Sequence, residues 1–408
     1  MGNYGEEIAV TTAQDIIGQV EKASKNEFND VVRSIFEDPT ARVVTGWTAR
    51  PLGARSNGVG TLALIKVEGV ATVRGARREW SSVLKVMSLS AAGVEGTAHV
   101  GSVSREVEAY RRGVFHDHLS GFRSARAYLI SDRSTDIVWL WTEDMSGFDG
   151  MPWSREQYLQ SAEVLGRLKG HLIRQPVEDH AWMNHGSSLD RWTSQAMYEF
   201  FDELDTKRDS DYVRRALPGD SYDRALQFRD DLSRLTAAIR GIPRTVAHGD
   251  CHVRNLFTSP GKIGDEAGRF ELMAIDLASV GIEPIGSDIG TLLGSSLSWG
   301  DDEADTVMRA EAAFFEAFMN KFDSGAAEIS RDQIRLSYLT SDCGYGLAVA
   351  SIPSIVDSQV GPWKGVLERY GGEGVKDDLP DSYRVRIEFI TTLFNEAVGL
   401  VDQSSGHK

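Results

Sequence analysis

Cysteine is nearly missing: Cys251 and Cys343 are the only two in 408 residues. That excludes a disulfide framework and fits a reducing compartment. Basic charge is short as well. The chain carries 44 Lys and Arg against 60 Asp and Glu, a formal net charge of −16. A protein of that sign is not built to hold nucleic acid or an anionic membrane by charge, although it is compatible with a small cationic ligand. No apolar run approaches the roughly 18 residues of a membrane-spanning helix. The opening stretch "MGNYGEEIAVTTAQDII" has neither the basic start nor the apolar centre of a signal peptide. Glu6 stands where a myristoylation signal carries Ser or Thr. These absences make the cytoplasm the expected location. What is present is ordinary for a globular chain: 41% hydrophobic and 25% charged residues, enough for a large core. The length allows two or three domains.

Residues 13–36 read as helix, whole or as two short pieces. From about 42 to 87 the pattern turns to β, with "GTLALIKVEGVATV" and "WSSVLKVM" separated by "RGARRE" and preceded by the glycine-rich "GARSNGVG". A Gly/Ser/Ala-rich loop follows. "SREVEAYRRGVF" is then expected as a helix, with Ser104 as its N-cap. "RAYLISD" and "DIVWLWTED" read as two antiparallel strands. Beyond about 145 the apolar spacing is helical, at 155–173, 223–240, 302–322, 331–350 and 383–401. The exception is a predicted hairpin, "NLFTS" with "FELMAIDLA", joined across a glycine-rich loop at 260–268.

Inside the helical half lies "VAHGDCHVRNLF", residues 247–258. Two polar groups on a short loop between buried segments are costly unless something uses them. A hydrogen-bonded turn is one use. Phosphoryl transfer is another. It needs alignment, Mg²⁺ on the phosphates and an acceptor for the substrate's hydroxyl proton. Asp250 can accept that proton, and Asn255 can offer an amide oxygen to Mg²⁺, which takes few protein ligands. Asp276, at the end of the hairpin's other arm, supplies the acid that a turn does not need. His248 reads as a buried post for the loop, or else as a base. Cys251 and His252 have no second Cys/His pair at zinc spacing. "FHDH" at 115–118 reads as a solvated helix end.

Lys85, between apolar residues on a predicted central strand, needs a reason. Nucleotide phosphates would supply one, with a carboxylate to hold the ammonium. Glu106 is the natural partner and Glu108 the alternative. An exposed strand face is the simpler reading. In the loop Gly53–Thr61, Gly58 and Gly60 would let backbone N–H groups approach phosphates. The segment is no Walker A motif.

With "HGDCHVRNLF", "AIDLASVGIEPIGSDIG", "VLKVM", "SREVEAY" and "LGRLKG" in this order, the chain resembles the aminoglycoside phosphotransferase / choline kinase family of small-molecule kinases, over roughly residues 45–295. The resemblance implies an α+β, two-lobed protein-kinase-like fold. An N-terminal antiparallel sheet lobe with one key helix (42–144) would follow a helical segment (1–41) packed on it. A larger, mainly helical lobe (145–408) would carry the catalytic loop and the substrate region. It also implies Asp250 as catalytic base, Asn255 and Asp276 as Mg²⁺ ligands, and Lys85 on the nucleotide phosphates, paired to Glu106. Trp141–Met145 would be a hinge that meets adenine through its backbone, with Glu143 and Met145 the contacts. Asp288 would support the catalytic loop. The cosubstrate would be ATP or GTP. The acceptor would be a hydroxylated small molecule: an aminoglycoside or other antibiotic, an amino alcohol, a sugar or a natural product. Gly249 stands where protein kinases carry Arg, and no Ala-Pro-Glu follows, which argues against a protein substrate. The acceptor would approach Asp250 from the C-terminal helices. Trp299, Asp301, Asp302, Asp342, Tyr345 and Trp363 are candidates there, or else a helix start and core residues. A catalytically quiet nucleotide-binding regulator and a nucleotide hydrolase remain the other readings.

Overall fold

The computed structural model describes residues 13–52, 60–90, 103–116, 120–175, 180–185, 204–259, 270–297, 301–325, 328–342 and 379–405. The chain divides into two compact units, Met1–His116 with Ala125–Gly147, and Asp117–Ser124 with Phe148–Lys408.

The first unit is built on an antiparallel sheet in the order β1-β2-β3-β6-β5. Its strands are β1 (Arg42–Pro51), β2 (Thr61–Val73), β3 (Ala76–Ser88), β5 (Ala127–Asp132) and β6 (Ile137–Thr142). Val73 pairs with Ala76, so the break between β2 and β3 is only Arg74 and Gly75, both at positive φ. Such two-residue turns match the twist of the strands they join. The "ARRE" part of the expected break therefore belongs to β3.

Side chains alternate along a strand, and here the alternation divides two jobs. Ile65, Val67, Trp80, Leu84, Val86, Trp139 and Trp141 share one face. That face is covered by α1 (Ala13–Glu21) and α2 (Lys25–Phe36), which bring Ile16, Ile17, Val20, Phe28, Val31 and Val32 to it. Ser24 caps α2 by accepting the Glu27 N–H. Phe28 is fully buried, with ring centroids of Trp47, Trp80 and Trp141 at 4.1, 6.1 and 5.5 Å. On the opposite face Met87, Val138 and Leu140 pack against Val103 and Val107 of α3 (Val103–Arg111). Ser104 lies inside the first turn of α3 and is not its cap.

The second unit is mainly helical. α4 (Arg155–Leu172) opens with a Ser154–Gln157 capping box. Helix Asp301–Met319 and the turn after it run close to α4. A Cβ on Gly166 or Gly170 would come within 2.3 Å of the Phe318 carbonyl or 2.7 Å of the Asp323 nitrogen. Helices Ser221–Ile239, Ser287–Ser296 and Leu379–Ser405, and a helix over 331–342, complete the helical body. The expected hairpin is present as β8 (Leu256–Thr258) and β9 (Leu272–Ala274). β4 (Phe122–Ser124) adds to β9 in parallel. β7 (Arg244–Ala247) pairs with β10 (Gly281–Pro284). The short strands β4, β7 and β10 were not expected from the sequence. The fold is α+β, as expected, and among the described residues no helix is long and apolar enough to cross a membrane.

Phe28→Ala removes the ring that joins α2 to three tryptophans. It is expected to cost ~3–5 kcal/mol, read as a lower denaturant midpoint. A loss under ~1 kcal/mol would contradict this packing.

Candidate active site

In the second unit the site begins with a buried ion pair. Lys169 Nζ lies 2.8 Å from Asp288 Oδ2, with side chains 1% and 2% exposed. The lysine also donates to the Val246 carbonyl at 2.9 Å. Asp288 stands in the first turn of helix Ser287–Ser296 and accepts two backbone N–H groups, from His248 at 3.1 Å and Gly249 at 3.2 Å. Burial alone would raise the Asp288 carboxyl. The Lys169 charge and hydrogen bond, with His248 and the Gly249 N–H, outweigh burial and hold it below the usual carboxylate value. One acid thus ties the end of β7 to the helix that follows β10.

Gly249 is required by this fold. Its φ is +75°, and a Cβ there would meet the Ser279 carbonyl at 2.2 Å. His248 is fully buried and its Nε2 lies 2.9 Å from the Ile275 carbonyl. It posts the loop against the strand end before Asp276. The loop then presents Asp250, half-buried, with His252 Nε2 3.5 Å from its Oδ2.

Asn255 donates from Nδ2 to both the Asp250 carbonyl, at 3.1 Å, and the Asp250 carboxylate, at 3.2 Å. Both partners are acceptors only, so the amide must face them with nitrogen, and its oxygen turns the other way. The Ile275 N–H bonds the Asn255 carbonyl at 2.9 Å. Asn255 and Asp276 therefore sit side by side where the β8–β9 hairpin opens. Asp276 has φ 60° and ψ 68°, a left-handed backbone that an aspartate adopts at some cost. Among the described residues there is no group of three or more His, Cys, Asp or Glu placed to hold a metal. An amide oxygen and one carboxylate, offered by neighbouring positions at the hairpin mouth, are donors of the hard-oxygen kind that Mg²⁺ accepts while keeping several waters.

In the first unit Lys85 Nζ lies 2.7 Å from Glu106 Oε2, with side chains 13% and 2% exposed. The alternative partner, Glu108, is engaged with Arg111 and Arg112. The pair sits on the sheet face opposite the tryptophan core. At the end of β6, Glu143 is bonded through its N–H and its carboxylate to the Arg126 backbone. Met145 opens a short 3₁₀ turn, Met145–Gly147. Trp141, also expected in the hinge, is buried on the opposite face with its indole N–H on Glu27, so only its backbone can take part.

The sequence profile of the phosphotransferase enzyme family, APH, matches residues 101–326, more than half of the chain. The chain belongs to that family. Family membership makes it a phosphotransferase of the small-molecule kinase class. Asp250, Asn255, Asp276 and Asp288 fall inside the matched span; Lys85 falls before it. A search of curated proteins found no match. Among solved structures, the chain is similar to the amicoumacin kinase hAmiN in complex with AMP-PNP, Ca²⁺ and Ami. The identity is 14% and the TM-score 0.47, over 83% of this chain and 87% of that one. A microcompartment-associated aminopropanol kinase matches at 11% identity and a TM-score of 0.48, over 88% of this chain and 96% of that one. The Streptomyces rimosus aminoglycoside phosphotransferase APH(3'')-Id, in complex with ADP and streptomycin, matches at 17% identity and a TM-score of 0.37, over 78% of this chain and 97% of that one.

The structure brings Asp250, Asn255 and Asp276 together in one unit and Lys85 and Glu106 together in the other. Gly58 lies outside the described residues, as do Trp299, Tyr345, Trp363 and the 260–269 loop. Gly60 has a packing reason to be glycine: at φ +79°, a Cβ would come 2.4 Å from Val103. Asp301 and Asp302 begin helix Asp301–Met319. Asp342 is buried, and burial and then Glu311 push its carboxyl well above the usual value. Sequence reasoning did not single out Lys169. Its signal was a lysine four residues after Leu165, inside the apolar stripe of α4.

Lys169→Met leaves Asp288 buried without its cation and is expected to cost ~3–5 kcal/mol at neutral pH. The Asp288 value is lowered in the native state, so its contribution is in full above the ordinary value of ~3.9. It is lost as pH falls through the lowered native value. In the variant, burial raises Asp288 instead. The stability gap between the two proteins should narrow as pH falls from neutral. Urea unfolding across pH checks this, and a pH-independent gap would contradict it.

Proposed function

We propose that the chain transfers the γ-phosphoryl group of ATP or GTP to a hydroxyl of a small organic acceptor. The observation that carries the reading is the Asn255 amide. Its nitrogen is spent on Asp250, the proposed base, which leaves its oxygen for a metal, and the strand pairing puts Asn255 opposite Ile275, one residue before Asp276. That is a metal pair and a proton acceptor at one hairpin mouth, on a family background of phosphotransferases.

In this reading Asp250 accepts the acceptor's hydroxyl proton as the oxygen bonds to the γ-phosphorus. The bond from that phosphorus to the bridging oxygen breaks, and the nucleoside diphosphate leaves. Mg²⁺ held by Asn255 and Asp276 would neutralise phosphate charge. Lys85, aligned by Glu106, holds the nucleotide phosphates. The backbone at Glu143 and Met145 reads the base, and no described residue partners the Met145 N–H. Gly249 supports a small acceptor over a protein one: the Ser279 carbonyl occupies the space where an arginine side chain would start. The net charge of −16 is compatible with cationic acceptors, an aminoglycoside or amino alcohol among them.

Asp250→Asn is expected to lower transfer by roughly 10²–10⁴-fold while nucleotide affinity stays nearly unchanged. Asp276→Ala should weaken Mg-nucleotide binding itself. Calorimetric titration beside product assays separates the two, and equal loss of nucleotide binding in both variants would contradict these roles.

A further inference from the structure

Lys66, in the middle of β2, is a second nearly buried lysine on the Lys85 face. It pairs with Val83, and Thr142 lies opposite Val83 on the next strand. Paired residues share a face, and Lys85 follows Val83 by two positions. The Lys66 ammonium has three acceptors: Asp144 Oδ2 at 2.8 Å, Glu68 Oε1 at 3.1 Å and Ser146 Oγ at 3.2 Å. An ammonium has three hydrogens, so it is fully satisfied. Asp144 is 8% exposed at its side chain. Its other oxygen accepts the Ser146 N–H at 3.0 Å, and the Ser81 hydroxyl adds a further bond. Burial opposes the Asp144 charge, but Lys66, Ser81 and Ser146 outweigh it and lower the carboxyl.

Lys66 therefore grips both sides of Met145, the acid before it and the hydroxyl after it. This segment is where β6 gives way to the 3₁₀ turn. As stability, such a pair adds little over an apolar replacement of like volume. As geometry it adds much, because it fixes the turn after β6 from the middle of β2, two strands away in the same sheet.

We infer that Lys66 is a positioning residue for the nucleotide base: through Asp144 and Ser146 it sets the 143–147 backbone so that Met145 N–H and the Glu143 carbonyl meet the purine edge. The inference rests on the nucleotide-binding role proposed for this segment. Lys85 serves the phosphates and Lys66 the base, so the two lysines should separate by ligand.

The test is calorimetric titration with Mg-ATP and with Mg-tripolyphosphate, which has no base. Lys66→Met should weaken Mg-ATP about tenfold and leave tripolyphosphate within about twofold. Lys66→Arg, which keeps the charge and the donors, should recover most of the loss. Lys85→Met should weaken both ligands. Ser146→Ala, an exposed change that leaves the fold intact, should weaken Mg-ATP alone by a few-fold, and it carries the comparison if Lys66→Met does not fold. Unchanged Mg-ATP binding in the Lys66 and Ser146 variants would overturn the inference while Lys85→Met still upheld the nucleotide reading. So would parallel loss of both ligands in Lys66→Met. A wild-type protein that bound neither ligand would overturn the nucleotide reading and, with it, this inference.

Discussion

The geometry of the 247–255 loop depends on one buried ion pair, Lys169 with Asp288. A carboxylate out of water must be paired and hydrogen-bonded. Asp288 meets that need with a lysine from α4 and two backbone N–H groups from the loop. Its own stabilisation is what holds the loop's shape. From that anchor the remaining contacts follow in order. His248 reaches the Ile275 carbonyl, Gly249 passes under Ser279, and Asp250 meets Asn255. No residue in this chain of contacts is exposed, so the polar groups at its end are held by packing.

The sheet unit solves a related problem with alternation. One face of its strands carries tryptophans and aliphatics under α1 and α2. The other carries Lys85 and Lys66, each paired to an acid. A strand can serve both faces because neighbouring residues point opposite ways. The two nearly buried cations on that face stay in place because each has a carboxylate within hydrogen-bond reach. Lys85 takes its acid from α3, and Lys66 takes its acid from the turn after β6.

Much of this was legible in the sequence. The hairpin around Asn255 and Asp276 showed because apolar runs ended on polar residues at a glycine-rich break. Lys85 showed because a lysine between valine-rich neighbours is unusual. Ser104 was misplaced because a serine before a helical pattern looks like a cap wherever the helix begins. β4, β7 and β10 were missed because three or four residues carry no period. Lys169 and Lys66 were missed for a different reason. Each stands among apolar residues, Lys169 in the stripe of α4 and Lys66 between Ile65 and Val67, but no motif names its partner. Only tertiary pairing with Asp288 or Asp144 explains why it is buried.

The central claim is phosphoryl transfer to a small hydroxylated acceptor. The most direct measurement is diphosphate formation from Mg-ATP and Mg-GTP across aminoglycosides, other hydroxylated antibiotics, amino alcohols and sugars, with product mass recorded. The account predicts nucleotide turnover that depends on one class of acceptor, and a product heavier by one phosphate. Mg-nucleotide that was neither bound nor turned over, whatever the acceptor, would contradict it.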